Sequence, residues 1–357
     1  MTNSPIPQDH RHWYLDILRI IATFTVILIH VSPLAHLEVG VASAQWHIMN
    51  FISSVCSWNV SAFFMISGAL FLSPKKELST RRLYTKTLAR MLASFLFWSA
   101  IYAAAHCLLN GKGKWTFINQ LVRGHYHQWY VFAIIALYWI TPLLRRITAS
   151  RQATEYLLLT GFLFSFAASY AMTFVQMLPT AHGDVVQSLQ SAYGQVNPYR
   201  GLSSIFYFVL GHYLHEYPLS KRMRNGILVC GAIALIATPL LSVWHSVKLG
   251  ATSSAFTSNG SLNVLALTAG VFVLCKEGLA GYRPEGHARR VIAHLAKCSY
   301  GVYLAHAFVL ERLSPAYGAT PLTLLASILL TTVLVYVISY GISAVLNRIP
   351  VLNKYVV

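Results

Sequence analysis

Residues 14–34 read YLDILRIIATFTVILIHVSPL, and this stretch decides the fold. A helix crosses a bilayer with about 20 mostly apolar residues. The run has that length, with only Asp16, Arg19 and His30 as ionisable exceptions. It is too long for the apolar core of a cleaved signal and reads as a first membrane-spanning helix. Further runs of the same kind follow at 48–73, 87–109, 129–147, 153–176, 202–216, 225–246, 259–276, 291–313 and 320–346. The expected fold is all-α: a polytopic membrane protein of about ten transmembrane helices. Its expected parts are a cytoplasmic N-terminal segment 1–13, a membrane domain 14–346 and a cytoplasmic C-terminal tail 347–357.

Composition and charge agree. Of 357 residues, 56% are hydrophobic and 10% charged, with a mean hydropathy of +0.54; soluble domains are about 25% charged. With the N-terminus in the cytoplasm, twenty of the 27 Lys and Arg residues fall in inner connections and six in outer ones. Arg19 lies within the first span. This is the positive-inside asymmetry, and it sets both termini in the cytoplasm. The basic residues lie between apolar runs, so anionic lipids and a polyanionic ligand are the expected partners. Nucleic acid is not, because no soluble basic domain is present to bind it. The five cysteines sit in or beside apolar runs without metal or redox spacing, and read as packing residues.

Ionisable groups inside a span are costly and are functional candidates. His30 follows Arg19 by eleven steps, which at about 100° per residue returns them to one face. Thr23 lies on the same stripe, and Asp16 is one turn below Arg19. The two ends of the stripe are about 16 Å apart along the helix. They cannot touch, but they can hold two ends of one long anionic ligand, and the arm of coenzyme A is of that length class. Arginine suits phosphate through its planar fork of donors, and histidine suits general-base work near neutral pH. The competing reading has Arg19 snorkelling to headgroups and His30 packed as a core residue.

The run Tyr14-Leu15-Asp16-Ile17-Leu18-Arg19 followed by His30 resembles the start of the acyltransferase 3 family of bacterial membrane proteins. The resemblance continues in order through Phe63-Phe64-Met65-Ile66-Ser67-Gly68, the basic pair Lys86 and Arg90, His127-Gln128-Trp129-Tyr130, and Ser299-Tyr300-Gly301-Val302-Tyr303-Leu304-Ala305-His306. It implies a ten-helix enzyme in the cytoplasmic membrane. Such an enzyme moves an acyl group, usually acetyl, from a cytoplasmic acetyl-CoA or other acyl-CoA donor onto a glycan. Trp58-Asn59 and Ala69 depart from the family pattern, and no carboxylate is evidently placed to pair with His30.

The supporting candidates each have a plainer alternative. Lys86 and Arg90 are four apart, sharing a helix face; they suit the donor's phosphates, or simply mark the inner side. Ser67 and Gly68 permit close helix approach. Asn59 is a candidate for the cavity around His30. His127 and Trp129 suit a sugar acceptor on the outer side, or interfacial anchoring. Ser299, Tyr303 and His306 fall on one face at i, i+4 and i+7; they suit the acceptor side, or hydrogen bonding between helices. The His125-x-His127 pair lacks the carboxylate or cysteine company of a metal site, and no metal is expected. The leading expectation is acyl transfer: Arg19, helped by Arg90 and Lys86, holds the donor, and His30 acts as base or transient acyl carrier. The alternative is a transporter or flippase of a lipid-linked sugar or small solute.

Overall fold

The computed structural model describes residues 11–32, 39–75, 77–175, 183–196, 201–313 and 320–357. Lys76, Arg200 and part of the outer connection expected over 177–201 lie outside the described residues. Among the described residues every regular element is helical. The order begins α1 (Trp13–Val31), α2 (Ala44–Val55), α3 (Asn59–Phe71), α4 (Thr80–Arg82), a π-helical turn Leu83–Leu88, α5 (Ala89–Asn110), α6 (Lys114–Arg123), a 3-10 turn Tyr126–Gln128 and α7 (Trp129–Thr148). It continues with α8 (Arg151–Phe162), a π-helical turn Leu163–Ala167, α9 (Ala168–Val175), α10 (Gly183–Val196), α11 (Gly201–Glu216) and α12 (Lys221–Leu249). Then come α13 (Leu262–Gly278), α14 (Gly286–Leu313), α15 (Pro321–Leu346) and α16 (Pro350–Tyr355).

Seven stretches of the described residues are helical, long and apolar enough to cross a membrane: Trp13–Val31, Ala44–Phe71, Thr80–Asn110, Lys114–Thr148, Arg151–Val175, Lys221–Leu249 and Pro321–Leu346. The chain is an all-α, multi-pass membrane protein. The other three expected spans correspond to α11, α13 and α14. α11 and α13 have only 16 and 17 residues, and α14 carries Arg289, Arg290, Lys297 and His306. α11 is buried over most of Ser203–Leu214, and α14 over most of Cys298–Val309. Other helices surround these turns. A helix screened from lipid can carry polar groups that a lipid-facing helix cannot. α12 and α15, with many exposed apolar side chains, have the highest hydropathy, 2.3 each.

Local sequence explains three further differences from expectation. The span expected at 48–73 is two helices, broken at residues 56–58, where Asn59 starts α3 by accepting the Val60 N–H at 2.6 Å. The outer connection expected at 110–128 contains α6, which exposes Trp115, Ile118 and Val122 on one face; such a stripe suits the membrane interface. Residues 347–357 fold back under the bundle. Val356 and Val357 are buried, and Arg90 donates to a backbone oxygen of Val357.

α3 and α11 approach to backbone contact. A Cβ added at Gly68 would lie 1.7 Å from the Phe208 carbonyl oxygen, and one at Gly211 would lie 2.1 Å from that of Met65. This pair, with α1, α7 and α14, frames the interior where the polar residues gather. The orientation has a direct check. Reporter fusions after residues 80, 148, 222 and 285 are expected to read cytoplasmic, and those near 118, 190 and 252 external. A reversed reading at any one connection breaks the ten-span topology there.

Candidate active site

A cavity of about 920 Å³ opens at the end of the bundle that carries the basic residues. Arg19, Arg82, Lys86, Arg90, Lys297 and Lys354 line it, and no carboxylate does. Its volume is within the roughly 300–1,000 Å³ of small-molecule sites. Three of these cations are held in place by identifiable local structure. Asp16, one turn below, pairs with Arg19 at 3.6 Å and with Arg11 at 2.5 Å, which fixes Arg19 on the wall of the cavity. Lys86 stands on the π-helical turn before α5, a distortion frequent at functional sites. Arg90 reaches the cavity from the first turn of α5 and spends one N–H on Val357. A guanidinium has five N–H donors, so this contact leaves donors for a ligand.

Farther in, the wall turns to hydroxyls. Ser67, Tyr130, Tyr138, Ser299, Tyr300 and Tyr303 line it. Tyr300 is fixed by Ser94, hydroxyl to hydroxyl at 2.5 Å, and Ser299 donates to the Leu295 carbonyl at 2.9 Å. Tyr303 donates to the His127 carbonyl, tying α14 to the start of α7.

Beyond Tyr303 lies a row of imidazoles. His30 is in the last turn of α1 and is partly exposed. Its Nδ1 lies 2.9 Å from Nε2 of His306, with the rings stacked at a centroid distance of 5.0 Å. His306 is fully buried, and its Nδ1 is 2.5 Å from the Tyr303 carbonyl oxygen. His127, also buried, has its ring 5.0 Å from that of His306 and its Nδ1 3.0 Å from Nδ1 of His125. His125 Nε2 in turn meets Glu311 at 2.9 Å, and the Tyr102 ring stacks on His125 at 4.1 Å.

The far end opens into a second cavity of about 770 Å³, lined by Tyr102, Arg123, His125, Tyr126, Trp129 and Glu311 among others. The Tyr126 ring stands edge-on to His30 at 5.5 Å. His30 lines neither cavity. It stands between them, with Tyr303 and His306 towards the basic side and Tyr126 towards the other.

The expected site residues separate into groups. Arg19, Lys86, Arg90, Ser67, Ser299 and Tyr303 share the basic cavity, and Trp129 lines the opposite one. His127 and His306, expected to face an acceptor, are buried behind His30. Asn59 lines neither cavity, and Gly68 is a packing contact. Sequence reasoning missed three features: the imidazole partner of His30, the His125–Glu311 pair, and the inward hydroxyls of Tyr130, Tyr138 and Tyr300. His30 and His306 are 276 residues apart, so no local pattern signals their contact. Lys297 and Lys354 belong to the inner-side Lys and Arg excess, and only the structure brings them to this cavity.

A family model described as an acyltransferase domain matches residues 12–345. No curated protein and no solved structure matches the chain. The match runs from the last residue before α1 almost to the end of α15; it takes in the imidazole row, the second cavity and the wall of the basic cavity except Asn353, Lys354 and Tyr355.

Proposed function

This chain belongs to that acyltransferase family and is a multi-pass membrane acyltransferase; from that premise we propose that it moves an acyl group, acetyl in the simplest case, from cytoplasmic acyl-CoA to a hydroxyl of a cell-surface or lipid-linked glycan. One observation carries the reading. The basic cavity has six cations and no carboxylate on its wall, and that wall includes Tyr303, whose carbonyl holds His306, the ring bonded to His30. A large polyanion with a narrow neutral arm matches that gradient. Arg19, Lys86 and Arg90 hold the phosphates, and the arm extends past Tyr303 with the thioester towards His30.

At His30 the direct route needs no covalent enzyme intermediate. The acceptor O–H gives its proton to the imidazole as its oxygen attacks the thioester carbonyl. The C–S bond breaks, and the imidazolium returns the proton to the departing thiolate. Acyl ester and free thiol result, with no net proton. The second cavity suits the acceptor: Tyr126 and Trp129 offer flat faces for sugar rings, while Arg123 and Glu311 offer polar groups for hydroxyls. The proposed location is the bacterial cytoplasmic membrane, with the basic cavity inward. The motif details resemble those of the enterobacterial common antigen O-acetyltransferase, and on that resemblance the proposed acceptor is a surface polysaccharide. Membership of an acyltransferase family favours this chemistry over the transport alternative.

The donor site has its own test. Arg19→Ala is expected to weaken acyl-CoA binding about 10- to 100-fold, the loss of charge-assisted hydrogen bonds worth roughly 1.5–3 kcal/mol. Binding is measured on purified protein by calorimetry, beside a melting curve. Unchanged affinity in well-folded Arg19→Ala protein removes Arg19 from the donor site.

A further inference from the structure

The bond between His30 and His306 has a direction, and the Tyr303 carbonyl sets it. A carbonyl oxygen only accepts, so His306 Nδ1, 2.5 Å away, carries a hydrogen. His306 has no exposed surface. Glu311, at the far end of the row, is taken up by His125 and Arg312. A second hydrogen on His306 would place a charge in a buried site without a carboxylate against it, which is costly. The ring is therefore neutral, and its Nε2 is a lone pair. His30 Nδ1, 2.9 Å from that nitrogen, must donate to it. The remaining nitrogen of His30, Nε2, then holds its lone pair. His30 keeps accessible surface while its partner has none.

We infer that His306 is the positioning residue of this site: anchored by the Tyr303 carbonyl, it fixes the tautomer and ring orientation of His30, so that His30 Nε2 is the atom that takes the acceptor proton. This rests on the proposed transfer reaction. It fills the place left by the missing carboxylate partner of His30. In serine hydrolases a buried carboxylate holds the working histidine in one tautomer; here a neutral imidazole does so. The groups near His30 are His125, Tyr126 and His127 from the segment before α7 and His306 from α14, the last held by the Tyr303 carbonyl. Among these, His306 is the one bonded to the His30 ring nitrogen.

The test compares kcat, donor KM and melting temperature for wild type, His306→Leu, His306→Gln and His306→Glu across pH. His306→Leu cannot accept from Nδ1. It is expected to lose about 10²–10⁴-fold in kcat, the range for a mis-set base, with donor KM unchanged. His306→Gln can place its amide oxygen where Nε2 was, and is expected to recover much of that loss. His306→Glu places a carboxylate against His30. It stabilises the imidazolium, so the acid limb of the rate profile moves to higher pH. A merely structural histidine predicts losses that follow melting temperature, no recovery by Gln and no displaced limb; that pattern overturns the assignment. Nitrogen-15 NMR of histidine-labelled wild type gives a second reading independent of variants. His30 is expected as the Nδ1–H tautomer, and an Nε2–H tautomer rejects the inference. If His30→Asn transfers normally, the base itself is misassigned. If His30→Asn fails while His306→Leu is normal, only the positioning role is lost.

Discussion

Replacing His30 with Asn is expected to stop acyl transfer in a protein that still folds and still binds acyl-CoA. The loss of a general base typically costs 10²–10⁴-fold in rate. Asn keeps polarity and can accept a hydrogen bond, but it cannot take a proton at neutral pH. His30→Ala is expected to fail equally. Donor affinity survives both changes because Arg19 is about 16 Å down the same helix, on the wall of a cavity that His30 does not line. A packing histidine predicts the opposite pattern, with Asn tolerated and Ala destabilising. The measurement is acyl transfer to isolated glycan, with calorimetric acyl-CoA binding and melting curves for all three proteins. Near-normal transfer by His30→Asn ends the case for His30 as base.

The second large effect is on folding. Gly68→Ala is expected to prevent stable assembly, because its Cβ would lie 1.7 Å from a backbone oxygen of α11. Ordinary overpacking costs about 1–3 kcal/mol, with side chains shifting to relieve it. Here the obstacle is main chain, so two whole helices must separate. Ser67, beside Gly68 on α3, would move with them, and the basic cavity would lose part of its wall. Gly341→Ala is the control. Nothing lies within 4 Å of its added Cβ, and Ala is favoured over Gly in a helix by about 1 kcal/mol. Detergent-solubilised Gly341→Ala is expected to melt at or above wild type, and Gly68→Ala far below it or not to be recovered. A Gly68→Ala protein that melts like wild type refutes backbone contact between α3 and α11.

The stripe on α1 shows how much of the site was legible beforehand. Asp16, Arg19, Thr23 and His30 were assigned to one helix face from spacing alone. The structure places Asp16 against Arg19 and sets Arg19 in the basic cavity. Lys86 and Arg90 were equally legible, being four apart at the start of an apolar run. The role of α14 was not. Ser299, Tyr303 and His306 were assigned to one face, but not to what that face meets. Ser299 and Tyr303 look into the basic cavity, while His306 turns to His30. Tyr138 carried no signal among 20 tyrosines, and Tyr130 and Tyr300 stood only inside motifs with no role of their own, since tyrosine is common both at membrane interfaces and in packed cores.

The division has a physical cause. Solvation by lipid acts on each segment separately, so apolar run length and the placement of Lys and Arg already specify an all-α membrane protein; helical periodicity specifies which residues of one segment share a face. These are properties of a residue and its near neighbours along the chain. The partner of His30, the pairing of His125 with Glu311 and the joining of six cations in one cavity depend on which helix packs beside which. That choice is made by contacts such as Gly68 on Phe208 and Gly211 on Met65, between residues more than a hundred positions apart. Even the polarity of α14, which sets it apart from the plainly apolar spans, becomes intelligible only when neighbouring helices screen it from lipid.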